Sequence, residues 1–273
     1  MGSGPLSRRA LFSLGRDRAI ASRTDHAALL DLERARWEAG APALLRALEP
    51  LAEIACDTAM VAPGDVLLDA GAGDGNVALA AARRGAVVTA CDLVPEMVRQ
   101  GRERAEAERL QVGWDEADVQ RLPYPDARFD VAISVLGAAL ASRPRRTARE
   151  LVRVLRSSGR LVLAAPAPRS LTGRALRLAV EGAAPAPLEW ASPKVVRARV
   201  EAAAPGAEVV LRECRFELAF ASEAEAWAAY EGPFGLPPSA RDAFADAVSA
   251  SSSAVGSVRI EEPWRLAIVR RFT

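Results

Sequence analysis

The sequence predicts an α/β fold: a mostly parallel, seven-stranded sheet with flanking helices and a helical lid. Three observations carry that prediction. Between Pro63 and Pro166, short apolar runs alternate with stretches of helical spacing. The first apolar run ends in an acid and three closely spaced glycines, Asp69-Ala70-Gly71-Ala72-Gly73-Asp74-Gly75. The chain, 273 residues long and 50% hydrophobic, can bury both faces of one large sheet.

Residues 1–24 carry Gly, Ser and Arg without periodicity and are expected to form a flexible leader, basic through Arg8, Arg9, Arg16, Arg18 and Arg23 but suited to a solvated tail. The twin arginines are not followed by an apolar region, since Arg16, Asp17, Arg18, Arg23 and Asp25 interrupt it, so export is not expected. From 25 to 62, Leu29, Leu30, Trp37, Leu44, Leu45, Leu48 and Leu51 recur at helical spacing, broken by Gly40 and Pro50, which predicts N-terminal helices covering the site. The turn Pro63-Gly64-Asp65 introduces a strand at 66–68. A helix at 77–84, a strand at 86–91, a helix at 95–107, strands at 112–116 and 129–135, a helix at 145–155 and a strand at 160–164 follow. Such alternation implies right-handed crossovers and a parallel sheet. Beyond Pro166 the order changes to helices at 174–181 and 193–203, a strand at 208–219, helices within 221–256 and a last strand at 265–271. We therefore read 63–220 and 257–273 as the core and 221–256 as a helical lid with Gly232, Pro233 and Gly235 as hinges; a fixed helical subdomain is the alternative.

Charge and cysteine content narrow the function classes. Lys and Arg total 36 against 35 Asp and Glu, a net charge of +1 that provides no global field for nucleic acid or an anionic membrane. A small-molecule partner in the cytoplasm is expected. Cys56, Cys91 and Cys214 lack metal-ligand spacing and read as reduced packing residues, so no metal site is expected.

The chemistry concentrates after the first strand. Glycine allows positive φ and a close backbone approach, so the turn from Gly71 to Gly75 can pass tightly against a ligand at the carboxyl edge of the sheet, where Asp69 also stands. Asp92 ends the next apolar strand, 19 positions after Gly73, where a carboxylate can accept both hydroxyls of a ribose. Asp118, after the third strand, can accept a hydrogen bond from an exocyclic adenine amine. Three acids so spaced imply an adenosine. Asp69 or Asp92 alone would read as a cap or turn residue; their joint placement favours the site.

On these residues, the segment Asp118 to Asp130 with its Leu122-Pro123-Tyr124-Pro125, and Ser134-Val135-Leu136-Gly137, the chain resembles class I S-adenosylmethionine-dependent methyltransferases, of the small-molecule branch related to ubiquinone and menaquinone biosynthesis. The resemblance runs from about Trp37 to Pro166. It implies a Rossmann-like fold, S-adenosylmethionine as cofactor and S-adenosylhomocysteine as product. It also implies that Asp69, Gly71, Gly73 and Gly75 hold the methionine part, Asp92 the ribose, Leu93 and Met97 the flanks of the adenine, and Asp118 with the Val119 amide its edge. Ser134 to Gly137 would line the crevice near the methyl group. Ser157-Ser158-Gly159 departs from the Pro-Gly-Gly of many relatives, in a turn away from the cofactor.

Methyl transfer from a sulfonium depends on alignment and exclusion of water rather than on compulsory side-chain chemistry, so no catalytic residue is nominated. His26, the single histidine, precedes the recognised core and reads as structural. Trp37, Trp190, Trp227, Tyr230 and Phe234 are candidate walls of an acceptor pocket, with core packing as the alternative for each. The rival function is a nicotinamide-dependent oxidoreductase, disfavoured because the third fingerprint glycine would fall at Asn76 and no Tyr-x-x-x-Lys pair is present. A non-catalytic cofactor-binding sensor or assembly partner is a further alternative.

Overall fold

The computed structural model describes residues 31, 34, 35, 37, 42–179, 186–252 and 257–270. The expected leader and His26 lie outside the described residues.

Two short helices, α1 (Pro42–Ala47) and α2 (Glu49–Thr58), lead to β1 (Val66–Ala70), whose apolar run is almost wholly buried because helices cover both sheet faces. The chain then alternates through α3 (Asn76–Arg83), β2 (Val87–Asp92), α4 (Pro95–Ala107), β3 (Val112–Glu116), β4 (Phe129–Val135), the single turn α5 (Gly137–Leu140), α6 (Pro144–Arg153) and β5 (Leu155–Pro166). Local chemistry sets the ends of α4: Pro95 opens it, Glu96 sits in the first turn and Arg104 in the last, each charge matched to the helix dipole. α7 (Leu171–Leu178), α8 (Ala186–Glu189) and α9 (Pro193–Ala203) precede a long hairpin of β6 (Glu208–Phe220) and β7 (Val258–Arg270). Its connection contains α10 (Glu223–Phe234), a 3-10 turn (Pro238–Ala240) and α11 (Arg241–Ser249).

The sheet order is β3-β2-β1-β4-β5-β7-β6. Strands β1 to β5 pair in parallel, and β7 enters antiparallel between β5 and β6. After β3 the chain returns to the other side of β1, which makes the β1–β4 boundary the topological switch point where open α/β sheets bind ligands.

The mostly parallel seven-stranded expectation agrees with this sheet, but β7 begins seven residues before the expected 265. The segment Val258 to Trp264 mixes charges with Pro263, a pattern that argues against a central strand. Proline is accommodated because the pairing of β7 with β5 stops at Trp264, leaving only β6 as its strand neighbour beyond that point. The segment predicted as a lid packs into the core: Trp227, Tyr230, Phe234 and Phe244 are all buried, and Phe244 meets Trp227 edge-on and Tyr230 at a tilt.

Candidate active site

A crevice opens at the carboxyl ends of β1, β2 and β4, with about 1030 Å³ of empty space, part of it open to solvent. Its floor begins with the β1 turn. The amides of Gly71 and Ala72 both donate to the Cys91 carbonyl at 2.9 Å, which pins the turn onto β2. Gly71 has φ +72°, and a Cβ on it would lie 2.8 Å from Gly137 Cα; a Cβ on Gly137 would meet Gly71 Cα at 2.8 Å and its carbonyl oxygen at 2.9 Å. The β1 and β4 loops therefore touch backbone to backbone, which only two glycines permit. Gly75 serves a different contact, since a Cβ there would lie 2.5 Å from the indole of Trp114 on β3.

Asp69 is buried and accepts from the Ala78 amide at 2.9 Å, so it joins β1 to α3 while lining the crevice. Burial pushes its carboxyl up to about 8, with the Asp92 and Asp74 charges adding to the rise and the Ala78 hydrogen bond opposing it. Asp92 is fixed by two backbone donors: Gly73 N–H to Oδ2 at 2.8 Å and Val94 N–H to Oδ1 at 3.0 Å. Each oxygen keeps a further lone pair for a ligand hydroxyl. Burial raises its pKa too, against the backbone hydrogen bonds that lower it. Asp118 lies across the opening and accepts from the Gln120 amide at 2.8 Å.

Leu93, Met97, Val119 and Gly137 also line the crevice, together with Asp69, Gly71, Gly73, Asp92 and Asp118. Two residues expected at the cofactor stand behind it. Gly75 packs on Trp114, and the Ser134 hydroxyl donates to the Ala70 carbonyl at 2.5 Å while accepting from the Ala138 amide at 2.9 Å, which fastens the start of α5 to β1. Of the five aromatic candidates, Trp37 lines the crevice and packs edge-on against Phe234 at 6.2 Å. Trp190, Trp227, Tyr230 and Phe234 are buried core side chains that do not line it. Each completes the packing of α7 to α11, elements whose position over the sheet no local pattern specifies.

The structure adds residues not singled out from sequence. Leu45 of α1, Leu48 between the two helices, Ala52 of α2, Val135 at the end of β4 and Leu136, Leu140 and Ala141 after it add apolar lining to the crevice. Leu136 has φ +67° and ψ −41°, a conformation a leucine adopts only where its surroundings impose it. Its amide donates to the Ala164 carbonyl on β5 at 3.0 Å, and the Gly71–Gly137 contact fixes the next residue. No residue type announces this strain in the sequence. Gln120 was legible only as the neighbour of Asp118 and Val119, yet it is buried and lines the crevice.

Comparisons with known proteins agree with this arrangement. Residues 68–163 match a family model described as a methyltransferase domain. An uncharacterized protein of Mycobacterium tuberculosis is 42% identical over 129 residues, covering 47% of each chain. A demethylmenaquinone methyltransferase of Thermus thermophilus is 35% identical over 128 residues, 45% of this chain and 58% of that one. The chain thus spans about half the length of the curated relatives it matches. The crystal structure of the YcgJ protein from Bacillus subtilis superimposes with a TM-score of 0.60 at 18% identity, covering 81% of this chain and 98% of that one, a likeness of fold. From the β1 turn to β5, then, the chain is similar to methyltransferase domains, including those of quinone-biosynthesis methyltransferases.

Proposed function

We propose that the protein transfers a methyl group from S-adenosylmethionine to a small-molecule acceptor with an apolar face. The observation that carries this reading is the composition of the crevice: three carboxylates, Asp69, Asp92 and Asp118, and the glycine backbone share it with apolar side chains from the N-terminal helices and the loop after β4. The residues present suit the cofactor. The Gly71–Gly137 approach leaves bare backbone at the floor, where the methionine part can lie against it, and Asp69 is placed to accept from its ammonium. Asp92, a carboxylate held in one orientation, would accept from the ribose, and Leu93 and Met97 would flank the base with Asp118 and the Val119 amide at its edge.

The cofactor when bound supplies an electrophilic methyl carbon on a positive sulfur. The protein's part is to align and to exclude water: Leu45, Leu48, Leu136 and Leu140 remove solvent from the acceptor side, so that the nucleophile meets the carbon without a hydration shell to shed. Among the described lining residues the titratable groups are Asp69, Asp92 and Asp118, all assigned to the cofactor. An acceptor already nucleophilic at neutral pH, or acidic enough to ionise in water, fits this set best. An aromatic or quinone-like metabolite methylated on O, N or C is such an acceptor.

Calorimetry with S-adenosylmethionine, S-adenosylhomocysteine and NAD tests the cofactor, and a panel of acceptors with labelled methyl groups tests the transfer. Binding of the two sulfur ligands and label transfer are expected. Binding of NAD alone would return the chain to the oxidoreductase class, and tight sulfur-ligand binding without transfer to any acceptor would favour a sensor or assembly partner.

A further inference from the structure

Gln120 carries more hydrogen bonds than a packing role requires. Its backbone N–H and its Nε2 both donate to Asp118 Oδ1, at 2.8 and 3.0 Å, and Nε2 also approaches Oδ2 at 3.3 Å. On its other side, Oε1 accepts from the Arg143 amide at 2.8 Å and from the Ser142 hydroxyl at 3.2 Å, and its carbonyl accepts from Arg146 Nε at 2.8 Å. These partners decide which way round the amide sits. A backbone N–H can only donate, so the Gln120 oxygen must face Arg143 and its NH₂ must face Asp118. The polarity then runs one way, from the Arg143 amide through Gln120 to the Asp118 carboxylate, which is held in one orientation.

We propose that Gln120 is a positioning residue that holds the Asp118 carboxylate in one orientation at the base end of the crevice, and thereby sharpens its preference for a base bearing an exocyclic amine over one bearing a carbonyl at that position. The inference rests on the reading that the crevice holds an adenosyl cofactor, and adds how this chain distinguishes adenine from hypoxanthine. A carbonyl oxygen set against a fixed carboxylate gains no hydrogen bond and meets like charge, whereas an amine donates to it.

The experiment compares S-adenosylhomocysteine with S-inosylhomocysteine by calorimetry on the full chain. The wild type is expected to prefer the adenosyl compound by at least about tenfold, the scale of one hydrogen bond to a charged acceptor. Gln120→Glu keeps an acceptor for Arg143 and Ser142 but sets a second carboxylate against Asp118. Two carboxyl groups at that distance share a proton, so Asp118 can donate as well as accept. The preference should shrink about tenfold. Gln120→Met, whose side chain cannot donate and which leaves only the backbone N–H on Asp118, should also lose most of the preference. Ser142→Ala removes a bond on the opposite side of Gln120 and should leave the preference intact. A wild type that binds neither compound refutes the cofactor reading itself. A wild type that binds both equally, or glutamate and methionine variants that keep its full preference, overturns the role of Gln120 and leaves the cofactor reading standing.

Discussion

Binding of S-adenosylhomocysteine should expel close to one proton in mildly acidic solution, and the source of that proton is Asp69. Burial pushes this carboxyl up to about 8 in the ligand-free protein, so at pH 6.5 it is protonated in most molecules. An ammonium placed against it favours the carboxylate, and the proton must leave as the ligand binds. If the ligand brings the value below 6, about 0.5 to 1 proton is released at pH 6.5, allowing a unit either way in the starting value. Affinity should then climb by about three- to tenfold between pH 6 and 7 and flatten near 8, where the ligand's own amine begins to lose its charge. Calorimetry in buffers of different ionisation enthalpy reads the proton count directly, and Asp69→Asn should abolish it. The ligand-free protein offers a second check. Because the folded value lies above the unfolded one, this group's contribution to stability is complete below about pH 4 and is lost as pH rises through about 8. Proton release near zero at pH 6.5, or release unchanged in Asp69→Asn, would refute the assignment of the ammonium to this carboxylate.

Three further outcomes follow from the geometry. Asp92→Ala removes the charged partner of the ribose and also leaves the Gly73 and Val94 amides without their acceptor; S-adenosylhomocysteine affinity measured by calorimetry should fall by about 10- to 100-fold, the equivalent of roughly 1.5 to 3 kcal/mol. Gly137→Ala forces a methyl group into the backbone of Gly71, 2.8 Å away, where no flexible side chain can yield. Overpacking of this kind costs about 1 to 3 kcal/mol, visible as a lower denaturation midpoint in urea together with weaker cofactor binding. Trp37→Ala widens the crevice and frees the edge of Phe234; on our assignment of this wall to the acceptor, the apparent KM for the acceptor should rise while the cofactor dissociation constant changes less than about threefold.

Much of this protein is written locally. The strands 112–116 and 129–135 and the helices 95–107 and 193–203 have the boundaries their apolar spacing and opening prolines predict, because periodicity and capping are properties of neighbouring residues. The positions of Asp69, Gly71, Gly73, Asp92 and Asp118 at the carboxyl edge were also legible, since each follows a strand end that an apolar run marks. What local pattern could not provide is which side chains beyond those ends face the crevice. Ser134 sits at the right strand end, yet its hydroxyl is used in fastening β4 to β1. Trp190, Trp227, Tyr230 and Phe234 look like pocket walls in a sequence and are core residues in the fold, because an aromatic ring serves either purpose and only the docking of its helix decides. The antiparallel insertion of β7 between β5 and β6, the left-handed backbone of Leu136 and the orientation of the Gln120 amide each depend on partners distant in the chain. The sequence by itself thus determined the elements, the glycine turn and the acids at the sheet's edge, through forces that act over a few residues. The tertiary structure alone decided which of those groups meet across the β1–β4 switch point, because that contact is made between backbones brought together only by the completed sheet.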